Sequence, residues 1–200
     1  MPQLKKISLN ADTTLAIWQV TEEPEQLLNA YSWLEPVFSK YNGKVARQRL
    51  LEKLTEALLI DAITGDKHAC ILHDVSRHPI LIGYFIGISH TKGFTAVILS
   101  KQRNVSIDIE YQSERVSRIA NRFIRPDEQN DNVTRQLINW CSKEVCYKYY
   151  YPFNLQYFDM KLLPFHLSEK GVTTVELMHY PLQLNVHYNV YPDYTLAYCY

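Results

Sequence analysis

Two hundred residues of 46% hydrophobic composition can bury the core of one large domain or two small ones without a disulfide or metal staple. Lys plus Arg equal Asp plus Glu at 21 each, so no global field draws the chain to a duplex or a membrane surface; nucleic acid and membrane are excluded as expected partners, and any charge logic is local. The four cysteines, Cys70, Cys141, Cys146 and Cys199, form no CxxC pair, which argues against a zinc site or a disulfide framework. The opening residues contain no apolar signal core, and the longest apolar run, "ILIGYFIGI", falls short of the roughly 20 residues that span a bilayer. The expectation is a cytoplasmic protein with reduced thiols.

In chain order, residues 22–33 and 45–61 read as helices, the second because Leu50, Leu51, Leu54, Leu58 and Leu59 recur at helical spacing. After Gly65 the texture changes: "HACILHDV", "HPILIGYFIGISH", "GFTAVILS" and "NVSIDIE" are short, rich in β-branched and aromatic residues and separated by turn residues, and read as strands. Helical periodicity returns at 113–124 and 132–151, followed by the strand-like runs "VTTVELMHY", "LQLNVHYNVY" and "DYTLAYCY". Helices then strands, twice over, predict an α+β fold of two similar halves joined near residue 101, that is 1–101 and 102–200. A shared pattern of turn, aromatic and apolar strand in "SHTKGFTAVILS" and "VYPDYTLAYCY" hints at internal duplication.

The stretch "VSIDIEYQSERV" places Asp108 and Glu110 two apart on a strand, hence on one face, with Ile107 and Ile109 on the other. Two carboxylates about 4 Å apart repel by roughly 4 kcal/mol at the effective dielectric of a protein surface. Solvent, a basic neighbour or a hard cation can offset that; Mg²⁺ suits because it takes one or two carboxylates and completes its shell with water and phosphate oxygens. Downstream, Val133, Leu137, Cys141, Val145 and Tyr149 form the buried stripe of a helix, and Trp140, Glu144 and Lys148 the adjacent row. Glu144 and Lys148 read either as a surface ion pair or as an acid and an amine for phosphoryl chemistry.

At these residues the chain resembles the 4'-phosphopantetheinyl transferases, in particular the larger surfactin-synthetase-activating type with two halves in one chain. The resemblance rests on "VSIDIE" (Val105 to Glu110), on "WCSKEVCYK" (Trp140 to Lys148) and on the turn "ISHTKGFTAVILS" with Ser89 and His90, and it covers residues 77–150 most closely. It implies a pseudo-two-fold pair of α+β halves with the active site in the cleft between them. The implied activity is Mg²⁺-dependent transfer (Mn²⁺ being the alternative cation) of the 4'-phosphopantetheine arm of coenzyme A to a serine of an apo acyl or peptidyl carrier protein, releasing adenosine 3',5'-bisphosphate. Asp108, Glu110 and Glu144 fall on the family's metal ligands, Lys148 on its pyrophosphate lysine, and Ser89 with His90 on its 3'-phosphate site. Asp108, Glu144 and Lys148 are the catalytic candidates, Glu144 acting as base directly or through a metal-bound water. Ser106 stands where the family has glycine, and "RHP" where it has G(K/R)P, which makes Arg77 and His78 coenzyme A candidates; Arg47 or Arg49 fits the arginine of the N-terminal helix. Duplicated halves bury the interface that a single-half relative uses to oligomerise, so a monomer is expected.

After the acidic strand, "SERVSRIANRFIRPDE" as a helix sets Arg115, Arg118, Arg122 and Arg125 within an arc of about 80°. The stripe is either a docking surface for the acidic helix of a carrier protein, as the resemblance has it, or a solvated face neutralised by Glu114, Asp127 and Glu128. The tyrosines of "YKYYYPFNLQY" are expected as core and interface between the halves. Two other readings compete: a divalent-metal phosphodiesterase or nuclease, which should carry a basic substrate groove, and a catalytically silent homologue that binds carrier protein or coenzyme A.

Overall fold

The computed structural model describes residues 3–200. It begins with a hairpin, β1 (Gln3–Ser8) antiparallel to β2 (Thr13–Gln19). Periodicity does not announce these strands: β1 carries Lys5 and Lys6 at the sheet edge, and β2 buries Leu15, Ala16, Ile17 and Trp18 in succession instead of alternating. The chain folds as two units, one ending at Arg103 and the other spanning Asn104–Tyr200. Each is an antiparallel sheet under one long helix, a mixed α+β arrangement.

In the first unit the sheet order is β1-β2-β6-β5, with β5 (Phe85–Thr91) and β6 (Phe94–Ser100) forming a hairpin whose turn uses the positive φ of Gly93. The predicted helix at 22–33 is α1 (Pro24–Ala30), followed by a 3₁₀ turn and α2 (Glu35–Tyr41). The long helix α3 (Arg47–Thr64) lies on β2 and β6 and ends at Gly65, whose left-handed conformation closes it. Leu50, Leu54, Leu58 and Leu59 pack there with Trp18, Val97 and Leu99, each fully buried large side chain contributing about 1.5–3 kcal/mol. Thr55 and Thr95 join Oγ1 atoms at 2.8 Å, pinning α3 to β6. The strand predicted over 68–75 reduces to β3 (Leu72–His73), paired with the equally short β4 (Pro79–Ile80). Asp74 accounts for the shortening, since its Oδ1 accepts the amides of Ser76 and His78 and turns the chain there.

In the second unit the order is β7-β11-β10-β9-β8, comprising β7 (Ser106–Tyr111), β8 (Met160–Leu162), β9 (Lys170–Leu177), β10 (Gln183–Val190) and β11 (Tyr194–Cys199). The helix α4 (Val133–Tyr149) starts at Asn132, whose side chain accepts the Arg135 amide at 2.9 Å, and packs on β7 and β11. Leu137, Cys141 and Val145 of the predicted stripe are buried.

One prediction fails here. Residues 113–124 form two 3₁₀ turns, Glu114–Arg118 and Ala120–Arg122, broken at Ile119, so the 80° arc of arginines drawn on an α-helix does not exist. Tertiary contacts override the helical pattern: Val116, Ala120, Phe123 and Ile124 pack on Leu137, and the Phe123 carbonyl, which an α-helix would spend on its own backbone, accepts from Lys143 Nζ at 2.7 Å. Lys143 also reaches Glu128 at 2.8 Å and the Tyr157 carbonyl at 3.3 Å, with both charged side chains fully buried. Glu128 in turn accepts the amides of Arg125 and Leu162.

No helix among the described residues is long and apolar enough to cross a membrane, and the four cysteines are free thiols. Removing one partner of the buried pair strands the other charge, so Glu128→Gln is expected to cost about 3–5 kcal/mol. Amide exchange in α4 should then accelerate by roughly a hundredfold or more; unchanged exchange would assign the clamp no weight.

Candidate active site

Asp108 and Glu110 share one face of β7, and that face lies beneath α4. Asp108 is only 4% exposed, so solvent does not offset its charge. A basic neighbour does: Lys148 Nζ donates to Asp108 Oδ1 at 2.7 Å and to the Ile107 carbonyl at 3.1 Å. Across the ladder Asp108 faces Ala197 and Glu110 faces Thr195, small residues that leave room for acidic side chains under the helix. Trp140 Nε1 donates to Glu110 Oε1 at 3.3 Å, so the predicted helix row meets the predicted acidic pair.

Glu144, between Trp140 and Lys148 on that row, accepts from the Tyr157 hydroxyl at 2.7 Å. Burial, and next the charge of Asp108, push its carboxyl above the ordinary range, against the Tyr157 hydrogen bond and the Lys148 charge. For Lys148, burial disfavours the ammonium, but Asp108 and Glu144 more than compensate and hold it above its usual value. The Cys141 thiol is pushed well up by burial and by the charges of Asp108 and Glu110, which makes it an inert spacer between the carboxylates. Trp140 lies against Tyr157 with ring centroids 5.3 Å apart and meets Phe123 edge-on at 4.9 Å, so an aromatic wall flanks the acids. Beside Glu110 opens a cavity of about 300 Å³ lined by Tyr111, Arg115, Val116, Leu137 and Trp140.

The donor set of Asp108, Glu110 and Glu144 is oxygen only, the chemistry of a hard cation. Among the described residues no three His, Cys, Asp or Glu side chains form a ready cage for an ion. Residues 104–199 match the model of the 4'-phosphopantetheinyl transferase superfamily. No curated protein matches the chain. The transferase match contains all four residues of the acidic site and the whole of the second unit but its last residue.

The other candidates fall elsewhere. Ser89 is buried on β5, and His90 Nε2 stands 2.9 Å from Glu56 Oε1 on α3. Arg47 is exposed at the start of α3 and pairs with Glu23 and Glu25, and Arg49 pairs with Glu52. Arg77, with a φ of 65°, and His78, whose ring is held below its ordinary basicity mainly by burial, occupy the turn closed by Asp74. Arg115, Arg118 and Arg122 are exposed, whereas Arg125 is tied to Asp127 at 2.9 Å and to the Phe158 carbonyl. Ser106 is buried at 1% exposure on the face of β7 that carries Asp108.

Sequence reasoning missed Tyr157 and Lys143. Tyr157 was hidden in a tyrosine-rich run whose members differ only in what they touch, and Lys143 in a KE pair whose acid partner, Glu128, lies 15 positions upstream.

A carboxyl whose folded value is raised above its unfolded one destabilises the fold once pH rises through the folded value. Glu144→Gln keeps an acceptor for Tyr157 and removes that cost. With EDTA present, its melting temperature should exceed wild type at pH 8 by about 2–4 °C, the shift that about 1 kcal/mol gives at this size. The gain should shrink toward pH 4. Thermal scans across pH read this directly, and a Gln variant less stable than wild type at pH 8 would contradict the assignment.

Proposed function

We propose that the protein is a 4'-phosphopantetheinyl transferase of the larger, two-half surfactin-synthetase-activating type. In this reading it moves the phosphopantetheine arm of coenzyme A onto a serine of an apo acyl or peptidyl carrier protein. The observation that carries the reading is the contact of α4 with β7: Lys148 on Asp108, Trp140 on Glu110, and Glu144 buried beside them, within the segment that matches the superfamily.

In the reaction the serine oxygen forms a bond to the phosphorus that bears pantetheine. The bond from that phosphorus to the bridging oxygen breaks, and adenosine 3',5'-bisphosphate leaves with the electron pair. The serine proton must be taken up, and Glu144, whose carboxylate burial makes more basic than an exposed one, is the group placed to take it. Tyr157 holds the Glu144 carboxylate in one orientation. Lys148 keeps an ammonium beside Asp108, a fixed positive charge for the oxygen on which negative charge develops. Asp108, Glu110 and Glu144 would hold a Mg²⁺, which when bound supplies further positive charge to the pyrophosphate. Ser89 and His90 would receive the 3'-phosphate of coenzyme A, with Arg47, Arg49, Arg77 and His78 as further contacts. Arg115, Arg118 and Arg122 would meet the acidic carrier, and Arg125, occupied by Asp127, drops to a supporting role.

Intact mass of an apo carrier protein after incubation with the protein, coenzyme A and Mg²⁺ should rise by the mass of the phosphopantetheine arm, and EDTA should prevent it. Asp108→Ala and Glu144→Gln should each lower the rate by at least about a hundredfold. No mass gain across acyl and peptidyl carriers would sink the reading. The double variant Arg118→Glu, Arg122→Glu should raise the KM for carrier protein about tenfold and leave that for coenzyme A within twofold; an unchanged carrier KM would return these arginines to the solvated face.

A further inference from the structure

Each acid of the candidate site is engaged by a different donor. Trp140 Nε1 donates to Glu110 at 3.3 Å and the Tyr157 hydroxyl to Glu144 at 2.7 Å, and both of these donors are neutral. Asp108 differs. It is 4% exposed, and its Oδ1 accepts at 2.7 Å from the Lys148 ammonium, which also donates to the Ile107 carbonyl at 3.1 Å. Contacts to two adjacent positions of β7 fix that charge over the strand. The pairing serves the free protein, because a buried carboxylate with no cation beside it is costly. Among the described residues no three acidic side chains are gathered into a cage, and Asp108 is turned to the lysine.

A divalent cation and this ammonium compete for the same oxygen. Direct ligation by Asp108 Oδ1 needs the atom that Lys148 uses, and the two positive charges would then stand side by side at a site sheltered from solvent, where like charges repel strongly. We propose that Lys148 is an electrostatic lock on the cation site: it opposes cation binding in the free protein and yields when coenzyme A arrives. The proposal rests on the transferase reading above. A pyrophosphate brings the negative charge that lets an ammonium and a divalent cation stand together, and it offers Lys148 oxygens in exchange for Asp108. Coenzyme A and the cation then bind with coupled affinity, each strengthening the other. Lys148 thereby acts before the chemical step, admitting the cation only together with the substrate that needs it.

Electron paramagnetic resonance of Mn²⁺ titrated into the full chain, with no carrier protein or coenzyme A present, tests this. Lys148→Gln keeps a donor for Asp108 and removes the charge, and it should bind Mn²⁺ at least about tenfold more tightly than wild type. Lys148→Arg keeps the charge and should show no gain. Adding Asp108→Asn to Lys148→Gln should abolish the gain. An unchanged affinity in Lys148→Gln, the same gain in Lys148→Arg, or a gain that survives Asp108→Asn overturns the lock. Absence of Mn²⁺ binding in wild type and variants alike, even with coenzyme A added, overturns the cation site of the transferase reading as well. Should Lys148→Gln fail to fold, the wild-type protein still decides. The nitrogen-15 signal of its Lys148 ammonium, assigned by comparison with Lys148→Arg, should move as Mg²⁺ saturates the site; a signal unmoved at saturation overturns the proposal.

Discussion

The buried pair of Lys143 and Glu128 is the interaction on which the second unit depends. An ammonium with no exposure has only protein to satisfy it, and it draws in the Phe123 carbonyl, the Tyr157 carbonyl and the Glu128 carboxylate. Glu128, equally buried, uses its oxygens on the amides of Arg125 and Leu162 as well. Five chain positions that no regular ladder connects are thereby tied to one point on α4. Burial pulls the Lys143 ammonium below its usual value even so, against the opposing pull of Glu128. A hydrophobic pair of the same size would fill the space at less electrostatic cost. It could not order two irregular segments through their backbone polar groups, and that ordering is what the ion pair supplies.

The consequence reaches the acids directly. Tyr157 lies in one of the ordered segments, so the clamp that takes its carbonyl also sets where its hydroxyl meets Glu144. Phe123 lies in the other and closes on Trp140, which holds Glu110. Each acidic side chain thus has an orienting partner that is itself fixed by packing, the arrangement that keeps a reactive group in one geometry. The Glu144 carboxyl is raised first by burial and then by the charge of Asp108, so holding it as a carboxylate under the helix costs stability.

Much of this was legible in the sequence because it depends on local periodicity. Residues two apart on a strand share a face, and Trp140, Glu144 and Lys148 share a helix row; both statements hold in the structure. What joined them was also visible, as the order of motifs. The partners of those residues were not. Nothing near Glu144 points to Tyr157, and Lys148 turns to Asp108, a choice that only the packing of α4 on β7 decides. The failure at 113–124 has the same origin: apolar spacing there fits an α-helix, but the segment breaks at Ile119 and presents the Phe123 carbonyl to a buried lysine. Strands β1 and β2 were missed for the opposite reason, since a sheet edge rich in lysine and a strand buried on both faces each lack the alternation that marks a strand.

The two units solve the same problem with opposite signs. In the first, the buried carboxylate sits on the helix, paired with Lys53 one turn earlier, and the imidazole lies on the strand. In the second, the carboxylates Asp108 and Glu110 sit on the strand and the lysine on the helix, and with Glu144 the acids outnumber the amine three to one. An excess of carboxylates suits a divalent cation. In the first unit Lys53 answers Glu56 charge for charge, whereas in the second the acids outnumber the amine, so the uncompensated charge lies in the segment that matches the superfamily.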